Sequence, residues 1–166
     1  PETLKNATVA IEDERFYNHR GIDPEGIARA VYKNIIRRDL SEGASTLTQQ
    51  LARNIFLTQK KTFDRKLQEM LLAILLEKNF SKEQILEMYL NEVCYGVNTY
   101  GAKAAAKVYF GRDLKDLTLS QAALLAGLPQ QPTRLEPFKN KNAAIKRRNL
   151  ILRKMAEQGY TLPTGG

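Results

Sequence analysis

The sequence predicts a single, mainly α domain that covers residues 1–166. Three observations support this fold class. The length fits one domain, since domains commonly have about 100–200 residues. Hydrophobic residues make up 43% of the chain and charged residues 27%, a balance typical of a folded globular protein. Apolar residues recur with a helical period along most of the chain, and no series of alternating strands interrupts them.

Four helices are predicted in the N-terminal half. The first covers residues 4–11, and the second begins at Asp23-Pro24, because aspartate caps a helix and proline suits its first position. The third covers residues 46–57. The fourth covers residues 62–78 and carries an apolar stripe of the kind that faces a core. This stripe consists of Phe63, Leu67, Met70, Leu71, Ile74 and Leu75.

The C-terminal half contains two capping boxes, each of which predicts a helix start. Ser81 and Gln84 form the first box, before a helix that extends to residue 90. A helix over residues 100–109 follows, and Thr118 then opens a short helix that ends near residue 127. Three prolines predict an irregular connector over residues 129–138, and the last helix covers residues 142–158.

Composition excludes several classes of protein. The single cysteine, Cys94, cannot close an intramolecular disulfide, and with one histidine, His19, it excludes a Cys/His zinc site. No apolar run approaches the roughly 18–20 residues of a membrane span, so the protein is either soluble or anchored by a segment outside this sequence. The net charge of +8 favours an anionic partner, which leaves nucleic acid, anionic lipid and phosphorylated substrates open.

Two N-terminal segments contain candidate site residues. The acidic run at residues 12–14 precedes an aromatic residue and a glycine turn, so one of its carboxylates could act as a general base or acid; the alternative is a solvated helix end. Residues 43–50 place hydroxyls and amides at a helix start, where they could hold a phosphate or a sugar. Ordinary capping by Ser45 or Thr46 explains the same residues without a ligand.

Three further segments contain charged groups at helical spacing. Lys66 and Glu69 share one side of a helix, apart from the apolar stripe, and a solvated ion pair is the alternative to a functional role. Residues 87–91 lie near a helix end. Arg147-Arg148 belongs to the basic tail, where either a solvated helix face or a nucleic-acid patch would explain it.

Taken together and in this order, the five segments resemble the signature of the peptidoglycan glycosyltransferases, the polymerase domains of class A penicillin-binding proteins and their monofunctional relatives. The matching motifs are Glu12-Asp13-x-x-Phe16-x-x-His19-x-Gly21, Gly43-x-Ser45-Thr46-x-Thr48-Gln49-Gln50, Arg65-Lys66-x-x-Glu69, Lys82-x-x-Ile85-Leu86-Glu87-x-Tyr89-Leu90-Asn91 and Arg147-Arg148-Asn149. Five ordered motifs that span residues 7–152 are a specific signal, whereas any one of them alone is not.

The resemblance implies a lysozyme-like helical lobe beside a smaller, membrane-facing lobe, with the active cleft between them. It also implies the reaction. A glycan linked to a lipid pyrophosphate is transferred to the 4-hydroxyl of lipid II with inversion, which forms a β-1,4 bond. The implied location is the outer face of the bacterial cytoplasmic membrane, with an anchoring helix absent from this sequence and a transpeptidase domain as an optional part of the parent chain. No nucleic-acid partner is expected.

The resemblance also implies roles for individual residues. Glu12 would be the catalytic base, and Glu69 would either orient Lys66 or bind a divalent cation, Mg²⁺ or Mn²⁺; no organic cofactor is expected. Cations would stabilise the charge of the pyrophosphate leaving group. The substrate-binding set comprises Lys66, Arg53, Arg65, Ser45, Thr46, Thr48 and Gln50, with Glu87 and Asn91 as supporting residues.

Two other classes of function compete with this interpretation. A lysozyme or lytic transglycosylase also uses a catalytic glutamate on a helical fold, but it has no pyrophosphate to neutralise with Lys66 and Arg53. A basic nucleic-acid-binding domain would explain the charge, but the even balance of residues 1–129 and the absence of a binding fingerprint argue against it.

One segment is predicted to contact the membrane. Residues 53–63 place four apolar residues, Ile55, Phe56, Leu57 and Phe63, among the cations Arg53, Lys60, Lys61 and the neighbouring Arg65. Apolar anchors among cations suit the headgroup region of a bilayer. The alternative is that these apolar residues, Phe63 in particular, belong to the core.

Overall fold

The computed structural model describes residues 1–37, 44–57, 63–96 and 98–160. Within these ranges the protein is mainly α-helical, as predicted, and its only β-type pairing is an isolated bridge between Cys94 and Tyr100. Its α-helices are α1 (Glu2–Glu12), α2 (Pro24–Arg37), α3 (Leu47–Phe56), α4 (Phe63–Asn79), α5 (Lys82–Glu92), α6 (Ala102–Phe110), α7 (Leu119–Gly127) and α8 (Lys141–Glu157). Short 3₁₀ helices cover Phe16–Asn18 and Leu114–Asp116.

Local capping boxes explain where three of these helices, α3, α5 and α7, begin. Thr46 and Thr118 each accept a hydrogen bond from the backbone of the residue three positions on, and the glutamine there bonds back, so both are capping boxes. Ser81 and Gln84 make the same pair of bonds before α5. The predicted helix starts are therefore confirmed to within two residues, which is the usual uncertainty of a helix end.

The chain divides into two compact units. The first combines residues 1–14 with the chain from Leu90 onward, and its core forms where α1, α7 and α8 pack on one another. Small residues allow this close packing. A Cβ atom added to Gly127 would lie 2.8 Å from Cγ of Arg147, so α7 and α8 need glycine at this position.

The second unit is the continuous segment Arg15–Tyr89, in which α3 packs against α4. Leu47 and Leu51 of α3 and Ile85 and Leu86 of α5 are fully buried there. Gly21 has a positive φ of 89°, and a Cβ atom at this position would lie 2.8 Å from the backbone carbonyl of Ala73. This turn can approach α4 so closely only because residue 21 is glycine.

The apolar stripe of α4 does not face a core, contrary to the prediction. Phe63 is 85% exposed, and Leu67, Leu71, Ile74 and Leu75 are also exposed. The face that packs on the rest of the unit carries Glu69, Ala73 and Leu76, nearly opposite the stripe on the helix. In α2, Val31 and Ile35 are exposed in the same way.

None of the helices in the described ranges is both long enough and apolar enough to span a bilayer.

Candidate active site

Glu12 is the last residue of α1, and its carboxylate is largely withdrawn from solvent. Its side chain is 9% exposed, and Asp13 is buried as well, so a solvated helix end does not describe these two acids. Nη2 of Arg147, from α8, lies 3.7 Å from Oε1 of Glu12. A guanidinium at this distance favours the ionised carboxylate, which is the form that accepts a proton.

Buried groups surround this ion pair. Burial lowers the pKa of Arg147, and the negative charge of Glu12 opposes that shift. Tyr95 is fully buried. Its pKa is raised above the ordinary value mainly by burial and, to a smaller extent, by the negative charge of Glu12. Arg147 is therefore not part of a solvated basic face, as one alternative had it, but a partner of the candidate base.

The second unit holds a cluster of cations around Glu69 on α4. This carboxylate is fully buried, with Nε of Arg65 3.0 Å and Nη1 of Arg53 3.7 Å from Oε1. Nζ of Lys66 lies 3.1 Å from Oε2. A buried carboxylate with three cations is not the solvated ion pair that the sequence left open.

Lys66 also joins this cluster to the start of α3. Its Nζ donates a hydrogen bond of 2.6 Å to Oγ of Ser45, which directly precedes the N-cap residue Thr46. Three cations and one carboxylate leave two positive charges in excess, and the Lys66 side chain is 41% exposed. The arrangement therefore suits an anionic group of a substrate.

The surroundings of Glu69 do not fit a divalent metal ion. Both carboxylate oxygens face a lysine or an arginine, so a metal ion on Glu69 would lie against three positive charges. Within the described residues, no group of three or more potential metal ligands occurs. Of the two roles expected for Glu69, the geometry favours orientation of the cations.

The remaining polar residues of the second motif mostly bond within the protein. Thr46 caps α3, as one alternative expected, and its hydroxyl donates to the carbonyl of Gly21 at 2.7 Å. Thr48 is fully buried and donates to Oε1 of Glu77 at 2.6 Å. Gln50 accepts a hydrogen bond from the hydroxyl of Tyr89. Gly43 lies outside the described residues.

Glu87 and Asn91 occupy exposed positions on α5. Glu87 belongs to the second unit and Asn91 to the first, where the backbone oxygen of Asn91 lies against Gly101. A Cβ atom on Gly101, whose φ is 82°, would approach that oxygen to 2.8 Å, so the chain at residue 101 can pass this close to the end of α5 only because the residue is glycine.

Sequence reasoning missed two features of the site. The pairing of Arg147 with Glu12 joins residues 135 positions apart, and nothing in the local pattern of either segment announces it. Glu77 lies outside every motif and yet bonds to Thr48 and Lys82. The position of Glu77 on α4 was the signal that could have found it. It was not used because the apolar stripe was expected to form the buried face of this helix.

A buried carboxylate paired with an arginine, together with a cation cluster that suits an anionic group, fits an enzyme of the group-transfer class. The family model described as Transglycosylase matches residues 1–156, and the chain belongs to this family.

The proteins to which this chain is similar in sequence include several penicillin-binding proteins. The chain is 48% identical over 163 residues to penicillin-binding protein 1A of Aquifex aeolicus, covering 98% of this chain and 22% of that protein. It is 47% identical over 160 residues to penicillin-binding protein 1F of Bacillus subtilis (96% and 22%) and 48% identical over 158 residues to penicillin-binding protein 1A of Neisseria lactamica (95% and 20%). The chain thus spans about one fifth of the length of these relatives.

Proposed function

We propose that this chain is a peptidoglycan glycosyltransferase that polymerises glycan strands from lipid II. The observation that carries the proposal is the cation cluster around Glu69, in a chain of the transglycosylase family. A lipid pyrophosphate leaving group develops negative charge as its bond to the sugar breaks. The cluster of Arg53, Arg65 and Lys66 supports the proposal, because its positive charge would stabilise the charge that develops on this group.

The reaction divides between two sets of residues. Glu12 accepts the proton of the 4-hydroxyl of lipid II, and that oxygen attacks the anomeric carbon of the lipid-linked glycan. The bond between this carbon and the pyrophosphate oxygen breaks with inversion, which gives a β-1,4 linkage and a free lipid pyrophosphate. General base catalysis of this kind contributes typically about 10²–10⁴-fold.

Cleavage of finished glycan, as by a lysozyme or a lytic transglycosylase, is the competing activity and is not favoured. The substrate of such an enzyme carries no pyrophosphate at the bond that breaks. The excess positive charge near Lys66 would therefore have no role in that reaction. A substrate with a diphosphate explains both the charge and the helix start beside it, where Ser45 bonds to Lys66.

The proposal includes contact with the outer surface of the cytoplasmic membrane, where lipid II is held by its polyprenyl tail. In the second unit, Ile55, Phe56 and Phe63 are 41%, 55% and 85% exposed, so the alternative that Phe63 is a core residue is wrong. The exposed stripe of α4 adds further apolar side chains to the exposed surface of this unit. Lys60 and Lys61 of the predicted segment lie outside the described residues.

A divalent cation, Mg²⁺ or Mn²⁺, is part of the proposal only as a companion of the substrate's pyrophosphate. The three cations around Glu69 leave this side chain unsuited to hold the metal. A transpeptidase domain in the parent chain stays a prediction.

The experiment offers lipid II and finished glycan separately, with and without divalent cation, and measures the size of the products. We expect lipid II to be converted to long glycan while finished glycan is unchanged. Glu12→Gln should lower turnover at least about a hundredfold, because glutamine cannot accept the proton. Glu157→Gln, at an exposed position on α8, is the matched control and should retain activity. Shortening of finished glycan by the parent protein would refute the proposal.

A further inference from the structure

We infer that Glu77, which lies outside all five motifs, is a positioning residue that holds three of those motifs together and thereby keeps Ser45 on Lys66. The inference rests on the proposed function. Its starting point is the Glu77 side chain, which is 6% exposed and receives two hydrogen bonds on a single oxygen. Thr48 donates one at 2.6 Å, and Lys82 donates the other at 2.7 Å.

These two bonds join separate parts of the second unit. Thr48 belongs to the first turn of α3, while Lys82 is the first residue of α5. Nζ of Lys82 also lies 4.4 Å from the ring centroid of Phe16, which is fully buried. A single carboxylate thus connects the motifs that contain Phe16, Thr48 and Lys82.

The connections continue from Phe16 back to α3. The ring of Phe16 contacts His19 edge to face, and Nδ1 of His19 accepts a hydrogen bond from the backbone N–H of Gly21. The carbonyl of Gly21 accepts a bond from Thr46, the N-cap residue of α3. The chain of contacts therefore closes on the helix start from which it began.

The closed ring of contacts fixes the segment that carries Ser45. Thr46 is held from one side by Gly21, and Thr48 is held from the other by Glu77. Ser45, which precedes them, meets Nζ of Lys66 at 2.6 Å. If Thr48 loses its bond to Glu77, or if Glu77 loses the ion pair with Lys82 that holds its oxygen in place, the first turn of α3 is held at one point only. The bond between Ser45 and Lys66 then loses its fixed geometry.

A double-mutant cycle tests whether Glu77 acts through Ser45. Glu77→Gln keeps the size of the side chain and an acceptor for Thr48, but it removes the charge that pairs with Lys82. We expect kcat/KM on lipid II to fall about 10–100-fold, since small displacements of catalytic groups have effects of this size. Ser45→Ala should lower kcat/KM by a similar factor. The kcat/KM of the double variant should be no lower than that of the less active single variant.

Conservative variants provide a second readout that a merely structural role would not reproduce. Thr48→Ser retains the donor to Glu77 and should keep activity within about threefold, whereas Thr48→Val should lose as much activity as Glu77→Gln. Glu83→Gln removes an exposed carboxylate beside Lys82 and is the matched control, which should keep parental activity. Melting temperatures show which variants are fully folded at the assay temperature.

The outcomes are distinct. The role of Glu77 would be overturned if the two losses of kcat/KM multiply in the double variant. It would also be overturned if Thr48→Ser and Thr48→Val are equally active. If Glu77→Gln does not fold, the Thr48 pair in the Ser45→Ala background decides the question. If the parent makes no polymer from lipid II, the proposed function fails, and the same cycle measured on pyrophosphate affinity by calorimetry tests Glu77 separately.

Discussion

Replacing Glu69 with glutamine removes the negative charge that three cations share. The variant keeps the size of the side chain, so the change is electrostatic. At 3.0 Å and an effective dielectric constant of about 20, the attraction between Arg65 and Glu69 is roughly 5–6 kcal/mol before the cost of desolvation. Removing one partner of a buried ion pair typically costs about 3–5 kcal/mol, because the other charge stays buried. For a chain of this length we expect the melting temperature to fall by about 6–20 °C.

Calorimetry measures the fall in the melting temperature of Glu69→Gln and its recovery when pyrophosphate is added. An anion in the cluster can take over the charge balance that Glu69 supplies, so pyrophosphate should bind the variant more tightly than the parent protein. At a concentration of about 100 times the dissociation constant, a ligand stabilises the folded state by about 2.7 kcal/mol. The melting temperature of Glu69→Gln should therefore rise more with pyrophosphate than that of the parent. Mg²⁺ alone should change neither.

Two results would refute this reasoning. The first is a variant that melts within about 2 °C of the parent and gains nothing extra from pyrophosphate, since the buried carboxylate would then not balance the cations. The second is stabilisation of the parent, but not of the variant, by Mg²⁺ alone, which would place a metal ion on Glu69. Glu157→Gln controls for the loss of an acidic residue at an exposed position.

Three further predictions address other parts of the molecule. Lys66→Met should lower turnover on lipid II much more than it lowers the melting temperature, because the side chain is 41% exposed, and a change confined to melting would make the residue structural. Arg147→Met should move the acid limb of the pH–rate profile to higher pH, because the nearby guanidinium favours ionised Glu12; an unchanged limb would contradict the pairing. Phe56→Ser with Leu57→Ser should weaken binding to anionic vesicles without loss of helical circular dichroism, while Val108→Ser with Phe138→Ser, an exposed apolar pair in the other unit, should bind as the parent does. Equal binding by both pairs would refute the membrane contact, and failure of the Phe56–Leu57 pair to fold would support a core role for Leu57, which is half-buried.

Helix starts could be predicted from the sequence because the bonds that define them are local. Thr46, Ser81 and Thr118 each bond to a residue three positions on, and such pairs are visible in the order of residues alone. Helical periodicity also located α3, α4 and α8 correctly. Both signals depend on a few neighbouring residues and on no distant partner.

Which face of a helix is buried could not be predicted in the same way. The apolar stripe of α4 has the period of a core-facing surface, but hydrophobicity does not distinguish a protein core from a lipid surface. The face that is packed carries a charged residue, Glu69, whose cations come from two helices, Arg65 and Lys66 from α4 and Arg53 from α3. A pattern read along one helix contains no information about a cation on another.

The candidate site shows the same division. Its residue types and their order indicate the family, and the family indicates which groups matter. The partner of Glu12 is Arg147, and the anchor of Thr48 is Glu77; both pairings depend on how distant segments meet in the folded chain.

The first unit is assembled from segments that the ribosome produces far apart in time. α1 packs on α7 and α8, but 106 residues separate Glu12 from Leu119. Closing a loop of about 100 residues costs roughly 2 kcal/mol more than closing one of about ten. The second unit, by contrast, is complete once Tyr89 has been synthesised. We therefore expect the face of α1 that carries Leu4, Ala7 and Ala10 to stay exposed during translation until α7 and α8 have been synthesised.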